Sequence, residues 1–161
     1  MPYALLALVL VILDQVVKYL VLTYIPLGGY VPFLPHIACL TYVQNTGAAF
    51  SMFSQHTWIL ALISLIMSVV LAVALWKNFF THPLGKVTLA LLLAGAVGNL
   101  IDRTLRGFVV DMFQLLFMNF AVFNVADICV VVGGIAAAAY YLLLADKLEH
   151  KEAHGTADAD R

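Results

Sequence analysis

Asp111 and Asp127 carry the chemistry that this chain advertises most plainly. Each sits in a short polar island, Val109-Val110-Asp111 and Phe123-Asn124-Val125-Ala126-Asp127, beside or inside a stretch apolar enough for a bilayer. A carboxylate there costs about 2.5 to 3.5 kcal/mol on insertion scales, so one that is kept usually has work to do. Two carboxylates brought together can share a proton at neutral pH. One then serves as a base toward water while the other hydrogen-bonds a carbonyl oxygen, which is the chemistry of an aspartyl hydrolase.

The setting that must position them is a membrane. Of the 161 residues, 64% are hydrophobic and 11% are charged, against about 25% charged in an average soluble domain. There is room for three to five spanning helices of about 20 residues and little more. We expect a single membrane domain over 1–148, with 149–161 as a polar cytoplasmic tail. A net charge of -1 and the lack of any run interleaving basic and aromatic residues argue against nucleic acid as a partner. Cys39, read in a loop, and Cys129, in an apolar run, are isolated, so they predict neither a disulfide framework nor a metal quartet.

Four apolar segments stand out: Tyr3 to Ile25, Thr57 to Trp76, Leu84 to Ile101 and Phe123 to Ala145. The expected fold is therefore an all-α membrane protein of four transmembrane helices. Between the first two segments, Pro26, Gly28, Gly29, Pro32 and Pro35 precede an alternating run around Cys39 to Val43, which predicts turns and short strands forming a small β-rich cap. Segment one carries Asp14 and Lys18, lacks a basic lead-in and is too long for the apolar core of a cleaved leader, so it reads as an anchor.

Lys and Arg in the connections set the orientation. Five fall in the Lys77 to Lys86 connection and the tail, none between Tyr24 and His56, and two between Arg103 and Val122. Both termini are thus expected in the cytoplasm, with the cap outside. That topology brings Asp14 and Lys18, Asn45 and Gly47, Asn99 with Asp102 and Arg103, Asp111, and Asn124 with Asp127 to the outer leaflet. Asp14 and Lys18 share a helix face, as do Asn99 and Arg103, and Asn124 and Asp127.

Taken in order, these residues carry a resemblance. Asp14-Gln15 with Lys18, Asn45-Thr46-Gly47-Ala48-Ala49-Phe50-Ser51, Gly98-Asn99-Leu100-Ile101-Asp102-Arg103, Val109-Val110-Asp111 and Phe123-Asn124-Val125-Ala126-Asp127 resemble the motif set of the bacterial lipoprotein signal peptidases, the signal peptidase II family. Met112 departs from the pattern, in which Phe often follows this Asp; here the aromatic is Phe113. The resemblance implies an intramembrane aspartyl endopeptidase of the bacterial inner membrane. Such an enzyme cleaves prolipoproteins just before the diacylglyceryl-modified cysteine, without cofactor or metal. It implies Asp111 and Asp127 as the catalytic pair. The partners expected are that modified prolipoprotein and membrane lipid, with the enzyme monomeric.

The supporting residues each admit two readings. Asn124 can fix a carboxylate or the substrate, or simply cap helix four. Arg103 can bind substrate carbonyls or be a snorkelling interfacial cation. Asn45 and Gly47 can contact an extended peptide or form an ordinary turn. Asp14 with Lys18 can be an intramembrane ion pair holding helix one, or part of the substrate site. Asn99 belongs with this group, whereas Asp102 is better read as a structural partner of Arg106, one helical turn away. Ala90, Ala94 and Gly98, at four-residue spacing, predict close helix packing. His150 and His154 have the spacing of a helical metal pair, but Glu152 does not fit the zinc-protease motif. A small transporter or proton carrier is the main alternative; it predicts polar residues strung through the membrane depth, whereas here they gather at one side.

Overall fold

A computed structural model describes residues 2–47 and 57–142. Four helices and three strands follow in the order α1 (Pro2–Tyr24), β1 (Tyr30–Leu34), β2 (Ala38–Asn45), α2 (Thr57–Trp76), α3 (Pro83–Arg106), β3 (Val109–Leu115) and α4 (Val125–Tyr140). The helices α1, α2 and α3 are long and apolar enough to cross a bilayer, with mean hydropathies of 2.3, 2.8 and 1.8 over 18-residue windows. They match the first three apolar segments. The described part of α4 has 16 residues, about 24 Å of helix at 1.5 Å per residue.

The centre of the bundle is α3. It starts cleanly because His82 Nδ1 accepts from the Leu84 N–H and Pro83 opens the first turn, where a missing N–H costs nothing. It ends at Gly107, whose φ of 78° is the left-handed conformation that glycine adopts without strain. The helix therefore runs past the expected end at Ile101 to Arg106, and Asn99, Asp102 and Arg103 all lie on regular helix.

Small residues bring its neighbours close, as expected from their spacing. Ala90 and Ala94 pack with Ala7 of α1 in one buried cluster. A Cβ added to Gly95 would stand 2.5 Å from the Ala126 carbonyl oxygen, and one at Gly98 would stand 2.6 Å from Asp14 Oδ2. Association in lipid rests on such backbone-to-backbone approach, since burying apolar surface gains little there. On α1 the buried residues are Ala7, Asp14, Lys18 and Val21, a single stripe whose other sides are exposed apolar surface.

The cap differs from the sequence reading in one respect. It is a three-stranded antiparallel sheet in the order β1-β2-β3, and its third strand comes from between α3 and α4, not from the connection between helices one and two. The segment Val109 to Leu115 was legible only as a connection because its apolar residues run together without clean alternation. Cys39 lies in β2, fully buried, not in a loop. The register sets Val43 opposite Asp111 and Asn45 opposite Val109. Val110 and Met112 of β3 join Tyr42 of β2, Val21 of α1 and Ile25 just past the end of α1 in a second core. Met112 is thus the apolar bolt between sheet and α1, while Phe113 stacks against Phe33 and Phe123 on the other face. The unusual residue after Asp111 bears on packing alone.

Candidate active site

Each carboxylate is delivered by a different kind of element. Asp111 is carried on β3, where strand pairing holds its backbone. Asp127 is the third residue of α4 and closes a capping box: Asn124 Oδ1 accepts from the Asp127 N–H at 2.9 Å, and Asp127 Oδ2 accepts from the Asn124 N–H at 3.2 Å. This box satisfies two of the N–H groups that every helix start leaves orphaned. It also explains why α4 begins at Val125, two residues after the expected start at Phe123, which instead bridges to Phe113.

Asn124 does more than cap. Its Nδ2 donates to Asp111 Oδ1 at 2.6 Å and to Asn99 Oδ1 at 3.2 Å. Asn99 Nδ2 in turn donates to Asp127 Oδ1 at 2.8 Å, and Asn45 Nδ2 donates to Asp111 Oδ2 at 2.9 Å. Three asparagine amides thus hold two carboxylates, and Asn124 touches both. Both readings offered for Asn124 are realised in one side chain.

Behind the amides lies a buried charge cluster. Lys18 Nζ stands 2.9 Å from Asp14 Oδ2, 3.0 Å from Asp102 Oδ2 and 3.1 Å from Asn99 Oδ1. Its side chain is 0% exposed, and those of Asp14 and Asp102 are 1% and 0% exposed. Arg106 pairs with Asp102 from the rim. Two anions and two cations balance, as burial demands. Backbone donors add to these pairs: Asp14 Oδ1 accepts from the Ala126 N–H at 2.9 Å, and Asp102 Oδ2, already paired with Lys18, also accepts from the Val110 N–H at 3.0 Å. Asp14 thereby ties α1 to the first turn of α4, and Asp102 ties α3 to β3, the two elements that carry the carboxylate pair. Gln15 Nε2 seals the cluster, reaching Asp14, the Gly98 carbonyl and Asp102.

Arg103 leaves α3 on a different side from Asp102, as neighbours on a helix do. It donates to the Gly47 carbonyl and to Ser64 Oγ of α2, both at 3.4 Å. Its Nε is buried and makes no hydrogen bond among the described residues. Asn45 Oδ1 accepts from the Gly47 N–H at 2.9 Å, so Asn45 closes a local turn and holds Asp111 at once. Every site residue named from the sequence thus enters one connected network. Ser64 and Gln15 were not singled out as site residues: nothing marks a serine in an apolar helix, and Gln15 stood only as a neighbour of Asp14. His150, His154 and most of the Asn45 to Ser51 motif lie outside the described residues.

Asn45, Asn99, Arg103, Asp111 and Asp127 converge on a cavity of about 460 Å³ whose remaining wall is apolar, including Phe120, Phe123 and the α4 side chains Ile128 and Val131. The Asp111 carboxyl is pushed up to about 6, first by burial, with the negative charge of Asp127 adding to it and the bond from Asn45 opposing. A carboxyl that holds or yields a proton near neutrality, paired with a second one, can perform acid–base work on water.

Known proteins bear on this arrangement. A family model described as signal peptidase (SPase) II matches residues 6–143. Among curated relatives, the lipoprotein signal peptidase of Enterococcus faecalis is 44% identical over 154 residues, covering 96% of this chain and 95% of its own. That of Streptococcus pneumoniae is 45% identical, covering 82% and 86%. A solved bacterial membrane enzyme, determined by the in meso method, superposes with a TM-score of 0.82 at 33% identity, covering 91% of this chain and 89% of that one. On the extent of these matches, the chain belongs to the signal peptidase II family.

Proposed function

We propose that this protein is an intramembrane aspartyl endopeptidase that removes the signal peptide from prolipoproteins, cutting before a diacylglyceryl-modified cysteine. The observation that carries the reading is the pair Asp111, buried, and Asp127, half-buried, held by three asparagine amides at the wall of one largely apolar cavity. Membership of the family supplies the substrate class.

In the reaction, the ionised member of the pair takes a proton from a water, whose oxygen attacks the carbonyl carbon of the residue before the cysteine. The protonated member hydrogen-bonds and then protonates the carbonyl oxygen. Collapse of the tetrahedral intermediate breaks the C–N bond, the cysteine nitrogen leaves with a proton, and the pair returns to one proton shared between two carboxyls. The pKa values governing this cycle belong to the pair. Asn99 and Asn124 keep the carboxyl planes fixed, Asn45 holds Asp111, and Arg103 offers its buried Nε to a substrate carbonyl. Asp14 and Lys18 act at one remove, by holding Asn99 and the start of α4.

We read α4 as a fourth span, both termini as cytoplasmic, and sheet and dyad as facing the outer leaflet of the bacterial inner membrane, with residues 1–148 as one domain and 149–161 as a tail. The basic connection at Lys77 to Lys86 and the clustering of polar groups at the sheet end support this orientation. The acyl chains of the substrate stay in lipid while it enters laterally, and one copy of the chain suffices, since both carboxylates come from it.

Cleavage of a diacylglyceryl-modified prolipoprotein by the purified protein in lipid tests the reading, with Asp111→Asn and Asp127→Asn compared at matched folding. Loss in both, with the unmodified precursor uncut by wild type, is the expected result. Activity surviving in either variant sinks the dyad.

A further inference from the structure

The catalytic cavity has a neighbour. A second cavity, of about 420 Å³, meets it over Asn45, Asp111 and residues 120–122, and contains none of Asn99, Arg103 or Asp127. Its own lining is different in kind. Gln44 near the end of β2, Thr46 just past it, and Asn119 in the connection from β3 to α4 replace the apolar side chains of α4. All three are exposed, and all lie on the sheet side of the molecule, outside the helices that span.

The two cavities therefore divide at Asp111, one walled mostly by apolar side chains and the other by a mixed lining in which polar groups are far better represented. A substrate cut at Asp111 divides in the same way. The released signal peptide is apolar and remains in lipid, while the chain that follows the cysteine is bound for water. Resting on the peptidase reading above, we propose that the second cavity is the subsite for the two residues that follow the lipidated cysteine, and that Gln44, Thr46 and Asn119 select short polar residues there. Gln44 Nε2 is tied to Tyr42 Oη at 2.7 Å, which fixes the amide and leaves its carbonyl oxygen as the end available to a peptide N–H. Asn119 offers both a donor and an acceptor, and Thr46 a hydroxyl. A volume of this size is in the range of specific ligand sites. Large apolar residues after the cysteine would leave these hydrogen-bonding groups unused and would lie against an exposed polar wall, with little to gain there.

The test uses two diacylglyceryl-modified peptides with the same signal sequence, one ending at the cysteine as an amide, the other continuing through Ser-Ser. Wild type should cleave the extended peptide with the higher kcat/KM, mainly through a lower KM, and should lose that advantage when Ser-Ser becomes Leu-Leu. In Gln44→Leu and in Asn119→Leu the ratio of kcat/KM for extended over truncated peptide should fall about fivefold each, the scale of one hydrogen bond. Thr46→Val, which changes no volume, serves as a third variant should either Leu variant fold poorly. A ratio unchanged in all folded variants, or a wild-type enzyme indifferent to Ser-Ser against Leu-Leu, overturns the subsite while leaving the peptidase intact. Wild type cutting neither peptide overturns the peptidase reading itself.

Discussion

Replacing Lys18 by Met should damage the fold far more than loss of one surface cation would. Its ammonium is fully buried and lies within 3.1 Å of Asp14, Asp102 and Asn99. Met preserves most of the side-chain volume, so the change is chiefly electrostatic. Two buried carboxylates would then share only Arg106, whose side chain is 26% exposed, and the described cluster would go from neutral to one net negative charge. Removing one partner of a buried ion pair costs about 3–5 kcal/mol. For a chain of this size each kcal/mol moves the melting temperature by roughly 2–4 °C, so Lys18→Met should melt roughly 6–20 °C lower. The protein carries its own reporters: Cys39 and Cys129 are both buried free thiols, and a thiol-reactive fluorophore added during a temperature ramp reads their exposure. Adding Asp14→Asn to Lys18→Met restores neutrality and should recover most of the loss. A single variant melting within about 3 °C of wild type, or a double variant less stable than the single, would refute the argument that charge balance holds α1 against α3.

Other predictions follow from the same contacts. Asn124→Ala removes a helix cap, worth about 1 kcal/mol, together with the amide that reaches Asp111; Asn124→Ser should restore the melting temperature but not cleavage, and recovery of both would show that the cap alone matters. Gly98→Ala would place a methyl 2.6 Å from Asp14 Oδ2 and Gly95→Ala one 2.5 Å from the Ala126 carbonyl, so each should cost about 1–3 kcal/mol by overpacking; Gly134→Ala, with nothing within 4 Å, should be neutral in the same melts. With the Asp111 carboxyl raised to about 6, kcat/KM should fall as pH rises through that value and the shared proton is lost. Asn45→Leu removes a hydrogen bond that favours the charged form, so in its pH profile the alkaline limb should move to higher pH; a shift to lower pH contradicts the assignment.

How much of this was legible in the sequence depends on the length scale of each signal. Thr57 to Trp76 was read to the residue, because twenty apolar residues without a charge admit one interpretation in a membrane protein. That the polar residues would converge was legible too, since a charged or amide side chain in an apolar helix stands out against its surroundings. The pairing of these groups was not. Nothing in Asn124 announces that one amide would cap α4 and hold Asp111 together, and nothing in Val109 to Leu115 separates a buried strand from a loop. Short apolar runs are ambiguous by periodicity alone, and β3 becomes a strand only because β2, far away in sequence, lies beside it.

On the proposed reading, in which Asp111 and Asp127 are the catalytic pair, the location of β3 bears directly on catalysis. Had Asp111 been on a free connection between α3 and α4, its carboxylate would have needed to be ordered at each turnover. Instead its backbone is held by β2, its neighbour Val110 donates to the buried Asp102, and both its oxygens accept from asparagine amides. Asp127 is fixed as thoroughly by a capping box and Asn99. A pair oriented before substrate arrives loses little entropy in reaching the transition state. The amides also do less than ion pairs to the dyad would: as neutral donors they orient the carboxylates and favour the charged form only modestly, which on the proposed mechanism lets one proton pass between them. The full charges of Lys18, Asp14 and Asp102 are kept one residue further back, where they hold helices and amides in place and balance one another.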